Sequence, residues 1–130
     1  MNANGLITRG SAHDFGTTLS RLVAALASKS LTIFAIIEHG EGAAQAGLEL
    51  LPTTVVIFGN AAGGTPLMQS AQTAGIDLPL KMLIWQDAKG AVHLSYNDPA
   101  WIAARHGADA EKTVAALTAA LAALADAAAN

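Results

Sequence analysis

Apolar positions along the chain fall into two repeats, one near 3.6 residues and one near 2, and they alternate in blocks. Phe15, Leu19, Leu22, Val23 and Leu26 share one stripe at helical spacing, which predicts a helix from about Ala12 to Ser28. Ser11 stands where an N-cap belongs, with Asp14 three residues on in the place of a capping-box acid. Gly5 to Thr8 reads as a short first strand. Leu31 to Glu38 is almost unbroken apolar sequence rich in Ile, the pattern of a strand buried on both faces. Gly40 to Leu50 is a glycine-flanked, alanine-rich helical turn or loop, and Pro52 to Phe58 is a second clear strand ended by Gly59-Asn60.

The second half reads as firmly. Thr65 followed by Pro66 suggests a helix start, running to about Ala74. Leu80–Trp85 and Val92–Tyr96 form a hairpin pattern around the turn residues Asp87 to Gly90. In its second strand Val92, Leu94 and Tyr96 alternate with His93 and Ser95, so one face is expected to meet water. Asp98-Pro99 opens a further helix that Gly107 closes. Asp109 is expected to cap the last helix, where Val114, Leu117, Leu121 and Leu124 form a stripe among many alanines. These elements make one domain over residues 1–130, with a core at about 15–107 and an alanine-rich C-terminal helix at about 109–129. The expected class is α/β of the α+β type, in two layers, a mostly antiparallel sheet packed by helices.

Composition changes the picture in one respect. Hydrophobic residues make up 52% and charged residues 13% of the 130, against about 25% charged in an ordinary domain. So little charge leaves apolar surface to hide, and a homodimer is expected. The apolar runs are interrupted by Thr, Lys or Glu before the roughly 18 residues of a membrane span. The first ten residues lack a secretory pattern, and a cytoplasmic location with no membrane partner is expected. With no cysteine there is no disulfide or thiolate site. Seven scattered basic residues and a net charge of −3 argue against nucleic acid as a partner.

Chemistry has few candidates. Gly59 to Thr65 is a glycine-rich loop between a strand and a helix, where backbone N–H groups favour an anion. Without a Lys-Ser/Thr ending it is also readable as a plain connection. Asn60, Gly64, Thr65 and Lys81 are therefore the candidate ligand-binding residues. His39, beside Glu38 at a strand end, is the candidate general base, although neighbours in a strand point to opposite faces. His13, His39, His93 and His106 show no metal-ligand spacing, so no metal site is expected, and no cofactor is indicated. Ser11-Ala12-His13-Asp14 holds the residue types of a hydrolytic triad, but a local run lacks triad geometry. Because each sits at or beside a strand end, His39, Asn60, Thr65 and Lys81 are expected to gather near one end of the sheet.

The segments His39, Pro52-Thr53, Phe58-Gly59-Asn60, Gly64-Thr65-Pro66-Leu67-Met68, Asp77-Leu78-Pro79-Leu80-Lys81 and Tyr96-Asn97-Asp98-Pro99 occur in an order that resembles domain-of-unknown-function family 302. The resemblance spans about Phe15 to Gly107. It departs from the family in Glu38, where Asp is usual, and in Ala61, where Pro is usual. It implies a small α/β dimer with a β-α-β4-α core likened to the TATA-binding protein, and it implies no reaction. Three functions remain open: a module binding a small anionic or apolar molecule at Gly59–Thr65, an enzyme using His39, and a structural or interaction domain.

Overall fold

A computed structural model describes residues 3–130. Strand β1 (Leu6–Gly10) leads to helix α1 (Phe15–Ser28), β2 (Thr32–Glu38) and the short helix α2 (His39–Gln45). Then come β3 (Thr53–Gly59), α3 (Ala61–Ser70), a 3₁₀ helix (Gln72–Asp77), β4 (Leu80–Gln86), β5 (Val92–Asn97), α4 (Pro99–His106) and α5 (Glu111–Ala129). The strands form one antiparallel sheet in the order β1-β5-β4-β3-β2. With α2, α3, the 3₁₀ helix and α4 set aside, this is the β-α-β4-α order that the resemblance implies.

Alternation decides which face of the sheet is covered. Val56 and Phe58 of β3, Met82 and Ile84 of β4, and Val92, Leu94 and Tyr96 of β5 all point to one side. Leu22 and Leu26 of α1 and Leu121, Leu124 and Ala128 of α5 close over them, and nearly all of these side chains are fully buried. A second cluster, Leu67, Ala74, Ile102, Ala103 and Leu117, joins α3, the 3₁₀ helix, α4 and the start of α5. On the other face Trp85 stacks on His93 across the β4–β5 pair, with ring centroids 4.3 Å apart, and Trp85 Nε1 donates to Ser95 Oγ at 2.9 Å. Ser95 Oγ in turn bonds Thr8 Oγ1 at 2.8 Å.

Four local expectations give way to the structure. Asp14 caps α1 in place of Ser11, its Oδ1 accepting from Thr17 N at 2.7 Å. Ser11 Oγ instead accepts from His13 N at 3.1 Å and bonds Thr18 Oγ1 at 2.7 Å. Helix α3 starts four residues before Thr65 because Asn60 Oδ1 accepts from Gly63 N at 2.6 Å, so Pro66 lies inside the helix. No side chain caps α5; Asp109 donates its N–H to Ser70 Oγ at 2.7 Å and binds the loop to α3. Finally, β2 is exposed along most of its length, because it is an edge strand with a register shift between Ile33 and Ala35. Its apolar run was a sign of burial that the topology leaves unmet.

One further expectation about length also changes. Helix α5 is long and apolar enough, by length and composition alone, to cross a membrane. In this fold its Leu117, Leu121 and Leu124 are buried in the domain's own core. Arg9 of β1 fastens the far end, pairing with Asp126 and donating to Asn130 Oδ1 at 2.9 Å.

The N-terminal edge depends on Gly5, which has φ +75° and precedes β1. A Cβ there would lie 2.4 Å from the Trp101 ring. Gly5→Ala is expected to lower stability by about 2–3 kcal/mol, through both the left-handed backbone and the clash. Urea unfolding of the variant and the parent measures it; equal midpoints would contradict this packing.

Candidate functional site

A cavity of about 580 Å³ opens where β3 runs into α3. Leu31, Phe34, Phe58 and Gly59 form the sheet-side wall, Ala61 to Thr65 and Met68 the α3 wall, and Leu78-Pro79-Leu80 the floor. Its long wall is a strip of α5: Lys112, Ala116, Ala120 and Leu124, spaced four apart, with Thr113 and Leu117 beside them. The reason for the space is local. Gly59, Ala61, Ala62, Gly63 and Gly64 line the space together with Ala116 and Ala120, and such small side chains leave it incompletely filled.

Asn60, Gly64 and Thr65, three of the candidate residues, line this cavity. Asn60 has a structural task through its side-chain oxygen, the cap on Gly63 N. Lys81 does not line it. Its neighbours in β4, Met82 and Leu80, point toward the helices, so Lys81 lies on the opposite face and its Nζ donates to Asp77 O at 3.5 Å. Neither Glu38 nor Asp98 pairs with it.

His39 is not brought to this site. In the β2–β3 pairing Glu38 faces Thr54, while Gly59 faces Thr32, so His39 stands at the other end of the sheet. Five residues of strand separate Thr54 from Gly59, roughly 17 Å. The four candidates therefore do not share a pocket, because antiparallel pairing sends consecutive strand ends to opposite ends of the sheet. His39 is exposed at the first position of α2, and its ring has no hydrogen-bond partner among the described residues. Glu38 and Glu41 share a hydrogen bond nearby, which raises the Glu38 carboxyl above its ordinary range.

Two His–carboxylate pairs that sequence reasoning passed over are formed elsewhere. His106 Nε2 lies 2.6 Å from Asp77 Oδ2, and its Nδ1 lies 2.9 Å from Thr73 Oγ1. Arg105 also donates to both oxygens of Asp77, at 2.9 and 3.0 Å, which clamps α4 onto the 3₁₀ helix. The other pair is His93 Nε2 with Asp87 Oδ2, at 2.9 Å. Asp87 also accepts from Lys89 N and Ala91 N through Oδ1, holding the β4–β5 turn. The partners lie 28 and 29 residues apart in the first case, so only the fold reveals it. Among the described residues no group of three or more His, Cys, Asp or Glu is arranged to hold a metal.

A one-sided antiparallel sheet, closed by two helices and leaving an apolar cavity at one end, defines a small two-layer α+β domain. The chain belongs to the family described as Domain of unknown function DUF302, which matches residues 7–124 and so takes in β1 and most of α5. A crystal structure of an uncharacterized conserved DUF302 protein from Bacillus stearothermophilus superposes with a TM-score of 0.86. It covers 98% of this chain and all of that one at 18% identity, a likeness of fold.

Similar curated proteins are named for a different activity. The chain is 45% identical over 112 residues to Fluoride-specific ion channel FluC 1 of Brucella suis biovar 1 (strain 1330). It matches Fluoride-specific ion channel FluC 2 of Brucella melitensis biotype 1 at the same identity. The match covers 86% of this chain but 44% and 42% of those proteins, so the chain spans less than half of their length.

The turn pair has a testable pH signature. The hydrogen bond from His93 holds the Asp87 carboxyl below its usual 3.8, aided by the Ala91 and Lys89 N–H groups. A depressed folded-state value means that its stabilising contribution is present above 3.8 and is lost as pH falls through the lower folded value. Carboxyl NMR titration should find Asp87 below 3.8 in the parent and moved upward in His93→Phe. An unmoved titration in the variant would count against the pair.

Proposed function

We propose that this domain is a binding module, holding one small, largely apolar molecule in the cavity between α3, α5 and the β3 end of the sheet. The observation that carries the reading is the cavity itself: about 580 Å³, walled mostly by apolar side chains, within the roughly 300–1,000 Å³ of small-molecule sites. The hydroxyls of Thr65 and Thr113 form no hydrogen bond within the described residues and remain available to a ligand. A general-base role for His39 has less support, since its ring is exposed and no carboxylate orients it.

The test uses N-phenyl-1-naphthylamine, a neutral probe that fluoresces in apolar surroundings. Gly64 lines the cavity, and a Cβ there meets only Leu78 Cδ1, at an ordinary 3.7 Å. Gly64→Phe should keep the parent's melting temperature and weaken probe binding by about tenfold or more, the loss of roughly 1.4 kcal/mol. Undiminished binding in a folded variant would remove the cavity as the site.

The same reading makes the module a homodimer joined through β2. Phe34, Ile36 and Ile37 of this strand, with Leu48, Leu50 and Leu51 after α2, are all between 43% and 66% exposed. They make up six of the eight large hydrophobic residues exposed among those described. The strand lies at the sheet edge and carries neither Lys nor Pro, the usual guards of an unpaired edge. A second copy of β2 would pair with it and cover these side chains. Ile37→Lys is expected to leave the fold intact and shift the protein from dimer to monomer in sedimentation equilibrium. A parent that sediments as a monomer would defeat the assembly.

Fluoride handling, suggested by the relatives' names, draws little support from this part of the molecule. A small hydrated anion gains nothing from a cavity with apolar walls. On this reading that activity resides in the larger share of each relative outside the matching stretch, and the present domain is an accessory to it in an aqueous, cytoplasmic compartment.

A further inference from the structure

We propose that the ligand of this cavity is a single-chain amphiphilic carboxylate, its head at Lys112 and its tail along α5. This inference rests on the binding-module reading and names the chemistry of its ligand.

Polar side chains are few along the cavity: Asn60, Thr65, Lys112 and Thr113. Of its lining residues Lys112 is the single charged one, and no Asp or Glu lines the space. Lys112, like Lys29 and Lys89, forms no side-chain ion pair or hydrogen bond among the described residues, whereas Arg9 pairs with Asp126 and Arg105 with Asp77. Thr113 beside it has an unengaged hydroxyl. From there the wall continues through Ala116 and Ala120 to Leu124, twelve residues on, a distance of about 18 Å at the rise of an α-helix.

Opposite this strip stand Phe58, Leu31 and Phe34, and below it Met68 and Leu80, all apolar. A compact polar ligand would desolvate its donors and acceptors against these walls without replacement. An elongated hydrocarbon fills them and gains burial along its length. A carboxylate at the open end meets an unpaired ammonium that remains hydrated until it binds. A cationic head would meet like charge there, and a neutral one would leave Lys112 unused.

The experiment displaces N-phenyl-1-naphthylamine from the full chain with dodecanoate or with dodecanol, both below their aggregation limits. Dodecanoate should displace the probe about tenfold more effectively than dodecanol, the gain of one charge-assisted contact. In Lys112→Met the preference should vanish with dodecanol affinity unchanged, and in Lys112→Glu it should reverse. Lys112 is exposed, so both variants should melt with the parent. Equal displacement by acid and alcohol in the parent, or a preference that survives in Lys112→Met, overturns the carboxylate assignment and leaves the cavity as a binding site. Failure of the probe and both competitors to bind overturns the binding-module reading, and this inference with it.

Discussion

The covered face of the sheet is the constraint on which everything else in this protein depends. Strands β3, β4 and β5 alternate so that Val56, Phe58, Met82, Ile84, Leu94 and Tyr96 all lie on one side. Each such side chain left in water would forgo on the order of 1.5–3 kcal/mol, so helices must close over that side. Two do so, α1 through Leu22 and Leu26 and α5 through Leu121 and Leu124. Once both helices are committed to one face, the other face is left to Trp85, His93, Ser95 and Thr8, and the outer edge of β2 is left to solvent.

The cavity is a consequence of how α5 performs its task. Its C-terminal half presents Leu121 and Leu124 to the sheet. Its N-terminal half presents Ala116 and Ala120 toward a glycine-rich α3 start, and the layer thins there. High helix propensity keeps α5 one continuous helix from Glu111 to Ala129. The same small residues that make a good helix thus leave a space with hydrocarbon walls and a lone cation at its rim.

The His–Asp pairs show why residue type alone is a poor guide to chemistry. Asp77 engages His106 and Arg105 together, and Asp87 engages His93 and two backbone N–H groups. Both carboxylates tie one segment to another, and neither lies in the cavity lining. His39, the residue that drew attention by its place beside Glu38, has an exposed ring without a hydrogen-bond partner among the described residues.

The amino-acid sequence by itself determined the elements and their class. The Val/Ile-rich run of β3, the period-2 run of β5, the helical stripes of α1 and α5, the Asp98-Pro99 cap and Gly107 stop of α4, and the Asp87–Gly90 turn are all local signals, written within a few residues of where they act. The Gly59–Thr65 loop stood out as a candidate for the same reason, since its small residues are contiguous. What tertiary structure alone decided was everything that depends on neighbours distant in the chain. The order of strands made β2 an edge despite its buried-looking composition. Antiparallel pairing sent His39 and Asn60 to opposite ends of the sheet, and strand alternation turned Lys81 away from the cavity. Lys112 came to the rim because α5 crosses the sheet there, about fifty residues on from the loop it faces, and no short-range pattern encodes that meeting.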